Sequence, residues 1–417
     1  MLDRTDSTFP TVSTTPVPVR VEPGSEDLAP QMPSDDKLPY SVPSMAEIAK
    51  SRATNGYKVI STFSGCGGSC LGFEMEGFEV LWASEFIDAA REAYELNHPG
   101  VPVDSRDIRN VEPAEILAQI GIERGEIDVL EGSPPCASFS TAGKLAKAWG
   151  EVRSYSETKQ RVDDLFWEFT RILDGLQPKV FIAENVAGLA RGVAKGYFLA
   201  ILAALKSCGY NVETRILDAQ WLGVPQTRKR LIFVGVRNDL EAQPRHPSPL
   251  PYRYSLRDAI GDLLEGSRVI HDTSGEWSTG DVTDKPCPAV TIGVNGLNSQ
   301  HFQVSEMTLD GTAIGKEWDK LRPGQSSDKY FNLIKPDPKK PSPVVTQTAG
   351  VRGAAGVTHP TERRKFTIQE LKRVCAFPDD FQLTGSYRQQ WERLGRAVPP
   401  VMMAAVARCV REILDEC

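Results

Sequence analysis

The stretch of sequence that decides the fold is G-S-P-P-C-A-S-F-S, residues 132–140, which follows the run Ile127-Asp128-Val129-Leu130. That run is typical of a buried strand, so Cys136 is predicted where a sheet gives way to a loop. The two prolines fix their own φ near about −65° and push the preceding residues toward extended geometry, which makes the turn stiff. A stiff turn that presents one sulfur favours a nucleophile, although an isolated cysteine is more often a small buried hydrophobe.

Composition indicates an intracellular protein with more than one structural unit. The chain has 417 residues, 40% of them hydrophobic, and this length predicts one large domain and a smaller one. The eight cysteines contain no C-x-x-C pair and the five histidines do not cluster, so neither a disulfide framework nor a metal site is expected. No apolar stretch approaches the roughly 20 residues needed to span a membrane, and no signal-peptide core is present. We therefore expect a cytoplasmic protein that does not bind membranes.

Charge and proline are distributed unevenly along the chain. The net charge is −7, but residues 334–373 hold nine Lys and Arg against three acids, so a nucleic-acid partner is not excluded. Residues 1–50 hold eight acids against four bases, and residues 1–45 contain eight of the 30 prolines with almost no large apolar residue. Such a segment cannot bury enough surface to offset its ordering entropy, which predicts a disordered tail over residues 1–50.

A glycine turn near the start of the ordered region predicts a cofactor site. Residues 57–63 have a strand pattern that runs into S-G-C-G-G, residues 64–68, and then into a helical pattern. Open α/β folds use this arrangement to let the backbone approach a cofactor. The next predicted strand, residues 79–84, ends at Glu85, where a carboxylate can accept both hydroxyls of a ribose. The turn alone fits a dinucleotide equally well, or no ligand, and Glu85 alone fits a surface acid.

Two further polar groups are predicted at the same edge of the sheet. Glu184 follows the buried-strand pattern of residues 180–183, so its carboxyl lies where open α/β sheets bind ligands, with Asn185 holding the turn. Alternation across residues 226–230 places Arg228 and Arg230 on one side. Two guanidiniums suit an anionic or carbonyl-rich ligand and favour a nearby thiolate. The alternative interpretations are that Glu184 is a surface acid and that Arg228 and Arg230 belong to an edge-strand charge pattern.

Six motifs occur together in one order. They are F-S-G-C-G-G (63–68), P-P-C-A-S-F-S (134–140), E-N-V (184–186), Q-T-R-K-R (226–230), R-R-K-F-T (363–367) and G-R-A-V-P-P (395–400). This set resembles the signature of the cytosine-5 DNA methyltransferases of bacterial or phage type, and it covers about residues 59–413. One such motif is a weak signal, whereas six in sequence are highly specific.

The resemblance implies S-adenosylmethionine as cofactor and a particular set of site residues. The catalytic ones are Cys136, Glu184, Arg228 and Arg230. The cofactor-binding ones are Phe63, Ser64, Gly65, Gly67, Gly68, Glu85, Phe86, Asp107, Ile108, Pro135, Ala397 and Val398. Asp107 alone also fits a helix cap. The family usually has Asn where this chain has Arg396, so only the backbone of the next two residues is expected to contact the cofactor there.

The implied organisation has a catalytic core interrupted by a recognition segment. The fold is α/β, with a doubly wound S-adenosylmethionine-dependent methyltransferase sheet over residues 51–238, to which residues 346–417 return. A smaller, mostly β target-recognition domain occupies residues 239–345, where helical patterns become rare. The resemblance also implies that the loop of residues 141–162 closes over a substrate base that has been flipped out of the DNA duplex.

The implied activity is methyl transfer to carbon 5 of cytosine in a specific double-stranded DNA sequence, through base flipping and a covalent Cys136–cytosine intermediate. Double-stranded DNA is the expected partner of a nucleoid-associated monomer, and a cognate restriction endonuclease is a second partner that the resemblance allows. Three alternatives are a transfer-RNA cytosine-5 methyltransferase with the same motifs, a non-catalytic DNA-binding protein on the same scaffold, and a nucleotide-dependent dehydrogenase.

Overall fold

A seven-stranded sheet forms the centre of the computed structural model, which describes residues 37–135, 153–155, 158–160, 164–191, 194–266 and 306–417. Its strands in chain order are β1 (Lys58–Thr62), β2 (Glu79–Ser84), β3 (Val103–Asp104), β4 (Val129–Gly132), β5 (Val180–Val186), β6 (Tyr210–Asp218) and β7 (Lys229–Arg237). Across the sheet their order is β3-β2-β1-β4-β5-β7-β6. β7 is antiparallel to both of its neighbours, and the other pairings are parallel.

Helices cover both faces of this sheet. The helices in chain order are α1 (Met45–Ser51), α2 (Gly68–Met75), α3 (Asp88–Asn97), α4 (Pro113–Ile120), α5 (Leu165–Leu176), α6 (Lys195–Ser207), α7 (Leu256–Gly266), α8 (Ala313–Trp318), α9 (Ile368–Val374), α10 (Tyr387–Arg396) and α11 (Pro400–Asp415). Two hairpins of short strands pair Arg153–Tyr155 with Thr158–Gln160 and Gln325–Ser326 with Ile334–Lys335. None of the helices in the described ranges is long and apolar enough to cross a membrane.

Alternation along the strands divides the core into two layers. Val59, Val129 and Val180 are register partners on one face and pack with α2 and α11. Ile60 and Leu130 are partners on the other face, where α4, α5 and α6 cover them. Successive residues of a strand face opposite layers, so parallel strands that are buried on both faces need apolar residues at consecutive positions. The predicted doubly wound α/β fold is confirmed.

The chain reverses its winding direction between β1 and β4. From β1 it proceeds outward through β2 to β3, and it then returns to pair β4 on the opposite side of β1. Ligands of open α/β sheets bind in the crevice outside the carboxyl ends of the strands at such a point. The glycine turn after β1 and the Pro134-Pro135 turn after β4 both border this crevice.

The prediction of a disordered tail through residue 50 is wrong for residues 37–50. A capping box starts α1, because Ser44 accepts from the Glu47 N–H and Glu47 accepts from the Ser44 N–H. Ile48 is 1% exposed, and the Tyr40 hydroxyl donates to the Arg373 carbonyl at 2.6 Å. These few anchors bury enough surface to order a segment whose average composition predicts disorder.

The segment expected to form a mostly β recognition domain contains two helices within its described part. Ser255 and Asp258 form an N-terminal cap for α7, and Leu256 and Ile260 pack in a third apolar cluster with α9 and α10. The described strands here are only the two-residue pair of the second hairpin. The expectation of few helices is therefore wrong for this part, because an S-x-x-D cap and apolar partners distant in sequence stabilise α7. Residues 267–305 lie outside the described ranges, and a separate domain stays a prediction.

Candidate active site

The glycine turn between β1 and α2 depends on three positive φ values. Phe63, Gly65 and Gly67 have φ of 54°, 58° and 92°, of which only the glycine values carry no steric cost. A Cβ at Gly67 would overlap the His98 ring. Ser64 is buried and donates its backbone N–H to the last residue of β2 at 3.0 Å. Among the described residues no side chain caps α2, so its first N–H groups can face an anionic ligand.

Glu85 lies at the tip of β2 beside this turn, as predicted from its spacing. Its two carboxylate oxygens accept from the Gly65 N–H at 2.8 Å and the Ile87 N–H at 2.7 Å. Burial raises the pKa of Glu85, and the two backbone donors oppose that shift. Each oxygen retains a lone pair that can accept a ribose hydroxyl. Phe86 is 37% exposed and offers an apolar ring next to this carboxylate.

The Asp107-Ile108 pair lies beyond β3, and its acid has several partners. Asp107 caps the short helix Ile108–Asn110 by accepting from the Arg109 N–H at 3.1 Å. Its carboxylate also pairs with the Arg109 guanidinium at 2.8 Å, and Arg109 pairs with Asp164 at 2.6 Å. Ile108 is buried in the core. The helix-cap interpretation of Asp107 is thus observed, and its contact with a cofactor stays a prediction.

Glu184 and Arg230 form an ion pair at the end of β5. Their side chains lie 2.6 Å apart and are 12% and 15% exposed. The pair forms because the antiparallel register of β5 and β7 places Arg230 opposite Val186, beside Glu184. Burial raises the pKa of Glu184, and the two arginines oppose the shift. Two opposing influences thus act on the proton affinity of this carboxyl, and its role as a general acid stays a prediction.

Asn185 connects this strand end to the proline turn. Its side-chain amide donates to the Pro134 carbonyl at 3.1 Å, and its amide oxygen accepts from the Val186 N–H at 2.9 Å. This contact agrees with the interpretation that Asn185 holds the turn. Pro135 is the last described residue of the turn, and Cys136 lies outside the described residues. The loop of residues 141–162 lies outside them except for Arg153–Tyr155 and Thr158–Gln160.

Arg228 occupies a deeper position than Arg230. It is 2% exposed and donates to the carbonyls of Gly395 at 3.1 Å and Arg396 at 3.0 Å, at the C-terminus of α10. Burial, followed by the charge of Arg230, lowers its pKa to about 9. The Arg228 side chain thus joins the backbone just before β7 to the C-terminus of α10. Its direct contact with a substrate base stays a prediction.

The C-terminal segment returns to the glycine turn as expected. Gly68 packs against the Val398 carbonyl so closely that a Cβ would overlap it, and Ala397 ends α10. Arg396, where the family usually has Asn, pairs with Glu392 at 2.7 Å on its own helix. The arginine side chain is therefore directed to Glu392, while the adjacent backbone borders the crevice.

Glu131 is a buried carboxyl next to the site. None of the sequence motifs indicates it. It lies in β4, is 1% exposed and approaches Ser61 of β1 at 3.4 Å. The available signal was an acid within the apolar pattern of a central strand, where an unpaired charge is costly.

Comparisons with known proteins agree with this geometry. The family model "C-5 cytosine-specific DNA methylase" matches residues 57–412. Type II methyltransferase M.NgoFVII of Neisseria gonorrhoeae is 29% identical over 374 residues, which cover 87% of this chain and 89% of the relative. Type II methyltransferase M1.HphI of Haemophilus parahaemolyticus is 30% identical over 360 residues, which cover 84% of this chain and 86% of the relative.

A solved structure shows the same fold. A DNA modification methyltransferase encoded within an Escherichia coli prophage matches with a TM-score of 0.62 at 22% identity, covering 86% of this chain and 99% of that one. The fold is thus of the doubly wound α/β class, and the family model and the named relatives identify the chain as a methyltransferase. Within that class, the chain belongs to the C-5 cytosine-specific DNA methylases and is a DNA (cytosine-5) methyltransferase.

Proposed function

We propose that this enzyme methylates cytosine in a specific double-stranded DNA sequence by flipping the base and forming a covalent bond between Cys136 and carbon 6. The observation that carries the proposal is the contact of Asn185 with Pro134, next to the Glu184–Arg230 pair. It fixes the strand end that bears the acid to the turn that leads into Cys136. Acid and nucleophile are thereby supplied from neighbouring parallel strands.

The chemistry of the residues that border the crevice supports S-adenosylmethionine as the cofactor. The uncapped start of α2 suits the cofactor's carboxylate, and the Glu85 oxygens have lone pairs for the ribose hydroxyls. Phe86 provides an exposed ring for the adenine, and Gly68 lets the start of α2 approach the backbone of Val398 closely. When bound, S-adenosylmethionine supplies an electrophilic methyl group on sulfur.

The protein's residues must make carbon 5 of cytosine nucleophilic. In the proposed mechanism the Cys136 thiolate attacks carbon 6 while Glu184 donates or shares a proton at ring nitrogen 3, so that electron density moves to carbon 5. Carbon 5 takes the methyl group and the donor's sulfur leaves as a neutral thioether. A base then removes the carbon 5 proton, the carbon 5–carbon 6 double bond re-forms as the thiolate leaves, and ring nitrogen 3 returns its proton to Glu184. Arg230 holds the Glu184 carboxyl in place during both proton transfers.

Substrate access requires the base to leave the duplex. Unstacking costs a few kcal/mol, which DNA contacts must offset. We assign these contacts to the recognition segment, residues 239–345, and to the basic run of residues 334–373. The type II relatives suggest a cognate restriction endonuclease as a functional partner, and we propose that the enzyme acts as a monomer in association with the nucleoid.

Duplex DNA with 5-fluorocytosine at the target position tests the covalent step. Fluorine at carbon 5 cannot leave as a proton, so the intermediate after methyl transfer accumulates as a protein–DNA adduct that survives denaturation. We expect the adduct with the wild-type protein and S-adenosylmethionine, and none with Cys136→Ala. An adduct in the variant, or its absence in the active wild type, would contradict the mechanism. Cys417→Ala is the control, because this cysteine is exposed at the end of α11.

A further inference from the structure

A chain of three ionisable side chains leads from the end of α1 to the glycine turn. Arg52 Nη2 lies 3.1 Å from Oε2 of Glu74, as an ion pair without the alignment of a hydrogen bond. The other oxygen of Glu74, Oε1, accepts from Nδ1 of His98 at 3.0 Å. The side chains of Glu74 and His98 are 2% and 0% exposed. A buried carboxyl is costly unless it is paired, so Arg52 and His98 together stabilise Glu74 in this position.

His98 is the member of this chain that touches the glycine turn. A Cβ at Gly67 would overlap the His98 ring, with Nε2 as the nearest atom, and would lie 3.1 Å from the Tyr94 ring. The Tyr94 and His98 rings stack with their centroids 4.3 Å apart. Nε2 is buried beside Gly67 and has no hydrogen-bond partner among the described residues. The backbone of the turn therefore rests on two stacked rings, and the bond to Glu74 sets the orientation of one of them.

The geometry of α2 explains how a residue at its end acts on the turn at its start. Gly67, Cys70 and Glu74 are three and four residues apart, so they share one face of the helix. The Tyr94 hydroxyl donates to Cys70 Sγ at 3.3 Å on this face. Helical side chains lean toward the N-terminus, so Glu74 reaches back along α2 toward the turn. A shift of the Glu74 carboxyl would thus move the ring that packs on Gly67.

Arg52 also fixes the backbone that carries His98. Its Nη2 donates to the Asn97 carbonyl at 2.7 Å, immediately before His98 in the chain. Arg52 follows α1, and both precede residues 57–412, which the family model matches. The glycine turn is therefore supported by a segment that lies outside the matched region.

We propose that Arg52 is a positioning residue of the cofactor site, which acts through Glu74 to hold the His98 ring against Gly67. This inference rests on the proposed binding of S-adenosylmethionine by the glycine turn. Gly67 has a φ of 92°, and a glycine has conformational freedom that only its surroundings restrict. Without Arg52 the ring is less well fixed, so the turn adopts other conformations and the competent one must be selected on binding. Cofactor affinity then falls, while the rate at saturating cofactor is preserved.

The dependence of the methylation rate on S-adenosylmethionine concentration tests this role in Arg52→Met, which keeps the side-chain stem but removes the charge. We expect the KM for the cofactor, and the Kd measured by calorimetry, to rise roughly three- to tenfold, with kcat within about twofold of the wild type. Arg52→Lys keeps the charge and should recover most of the affinity. Arg408→Met, which breaks an ion pair with Glu76 next to the end of α2, is the matched control and should follow the wild type. A lower kcat with unchanged KM would indicate a loss of folded enzyme alone and would overturn the proposal.

A double variant tests the path through Glu74. Glu74→Gln keeps an acceptor for His98 but removes the charge that pairs with Arg52. Arg52→Met should therefore raise the Kd by a smaller factor in the Glu74→Gln protein than in the wild type, because the two residues act through one contact. Equal factors in both backgrounds would show that Arg52 acts independently of Glu74 and would contradict the proposed path.

Amide hydrogen exchange of the cofactor-free protein separates this inference from the proposed function. Exchange over residues 64–71 should be faster in Arg52→Met than in Arg408→Met, while the amides of β6 keep the wild-type rates. Unchanged exchange in the turn would overturn the positioning role, whatever the cofactor affinity. If the wild type binds no S-adenosylmethionine while the turn of Arg52→Met exchanges faster, the proposed function fails and the support of the turn by Arg52 stands.

Discussion

Glu184 is subject to two opposing influences that together suit it to proton transfer. Burial disfavours its charged form, while Arg230 at 2.6 Å stabilises that form. A fully exposed acid would be ionised throughout the physiological range, and a deeply buried unpaired one would not release its proton. Arg228 is directed to the carbonyls of Gly395 and Arg396, whereas Arg230 forms the ion pair with Glu184. The reactive state of the acid is thus set by its neighbours.

Replacement of Glu184 by Gln tests this role. The variant keeps the shape of the side chain but cannot transfer a proton, so the rate of methyl transfer in a single turnover should fall by roughly 10²–10⁴. Affinity for S-adenosylmethionine should stay within about twofold of the wild type, since the change lies beyond the cofactor crevice. Glu213→Gln, on the exposed side of edge strand β6, serves as control. A Glu184→Gln rate near that of the control would refute the acid role.

Two helices position the cofactor turn by packing closely against each other. α2 follows the turn, and α11 lies across it with the Pro400 carbonyl and Met403 against Gly72. A Cβ at Gly72 would lie 2.6 Å from the Met403 Cβ and 2.7 Å from the Pro400 oxygen. The close approach explains how the C-terminal segment, more than 300 residues from β1 in the sequence, completes the crevice.

Gly72→Ala should therefore destabilise the protein, while the same change at Gly196 should not. At Gly72 the backbone of α11 must shift, which costs about 1–3 kcal/mol and should also weaken S-adenosylmethionine binding. Gly196 in α6 has nothing within 4 Å of an added Cβ, so alanine there should be neutral or stabilising by less than about 1 kcal/mol. Denaturant unfolding of both variants measures the difference. Equal stabilities would show that the helices do not touch at Gly72.

The strands that carry the site are predicted from the sequence more reliably than the helices outside the site. The tips at Glu85 and Glu184 follow from apolar runs and glycine spacing, which are local features. Sequence periodicity does not predict α1 and α7, because each depends on one capping box and on apolar partners distant in sequence. The burial of Arg228 follows from carbonyls of α10, which the sequence places about 170 residues away. No local pattern reports contacts of that range.

At the scale of the whole molecule, five sequence-distant segments meet at one crevice. The glycine turn, the tip of β2, the proline turn with the end of β5, and the residues after α10 contribute to it. Parallel strands make this possible, because their carboxyl ends lie at one edge of the sheet. We propose that this arrangement brings a methyl donor, a nucleophile and an acid to one base. The central claim is that this base is a cytosine in DNA and that the nucleophile is Cys136.

Transfer of labelled methyl groups from S-adenosylmethionine tests that claim most directly. The wild type, Cys136→Ala and Cys417→Ala would be assayed on unmethylated duplex DNA and on bulk transfer RNA. We predict label in DNA for the wild type and Cys417→Ala, and none for Cys136→Ala. Label in transfer RNA alone would overturn the substrate, and methylation of DNA retained by Cys136→Ala would contradict the nucleophile.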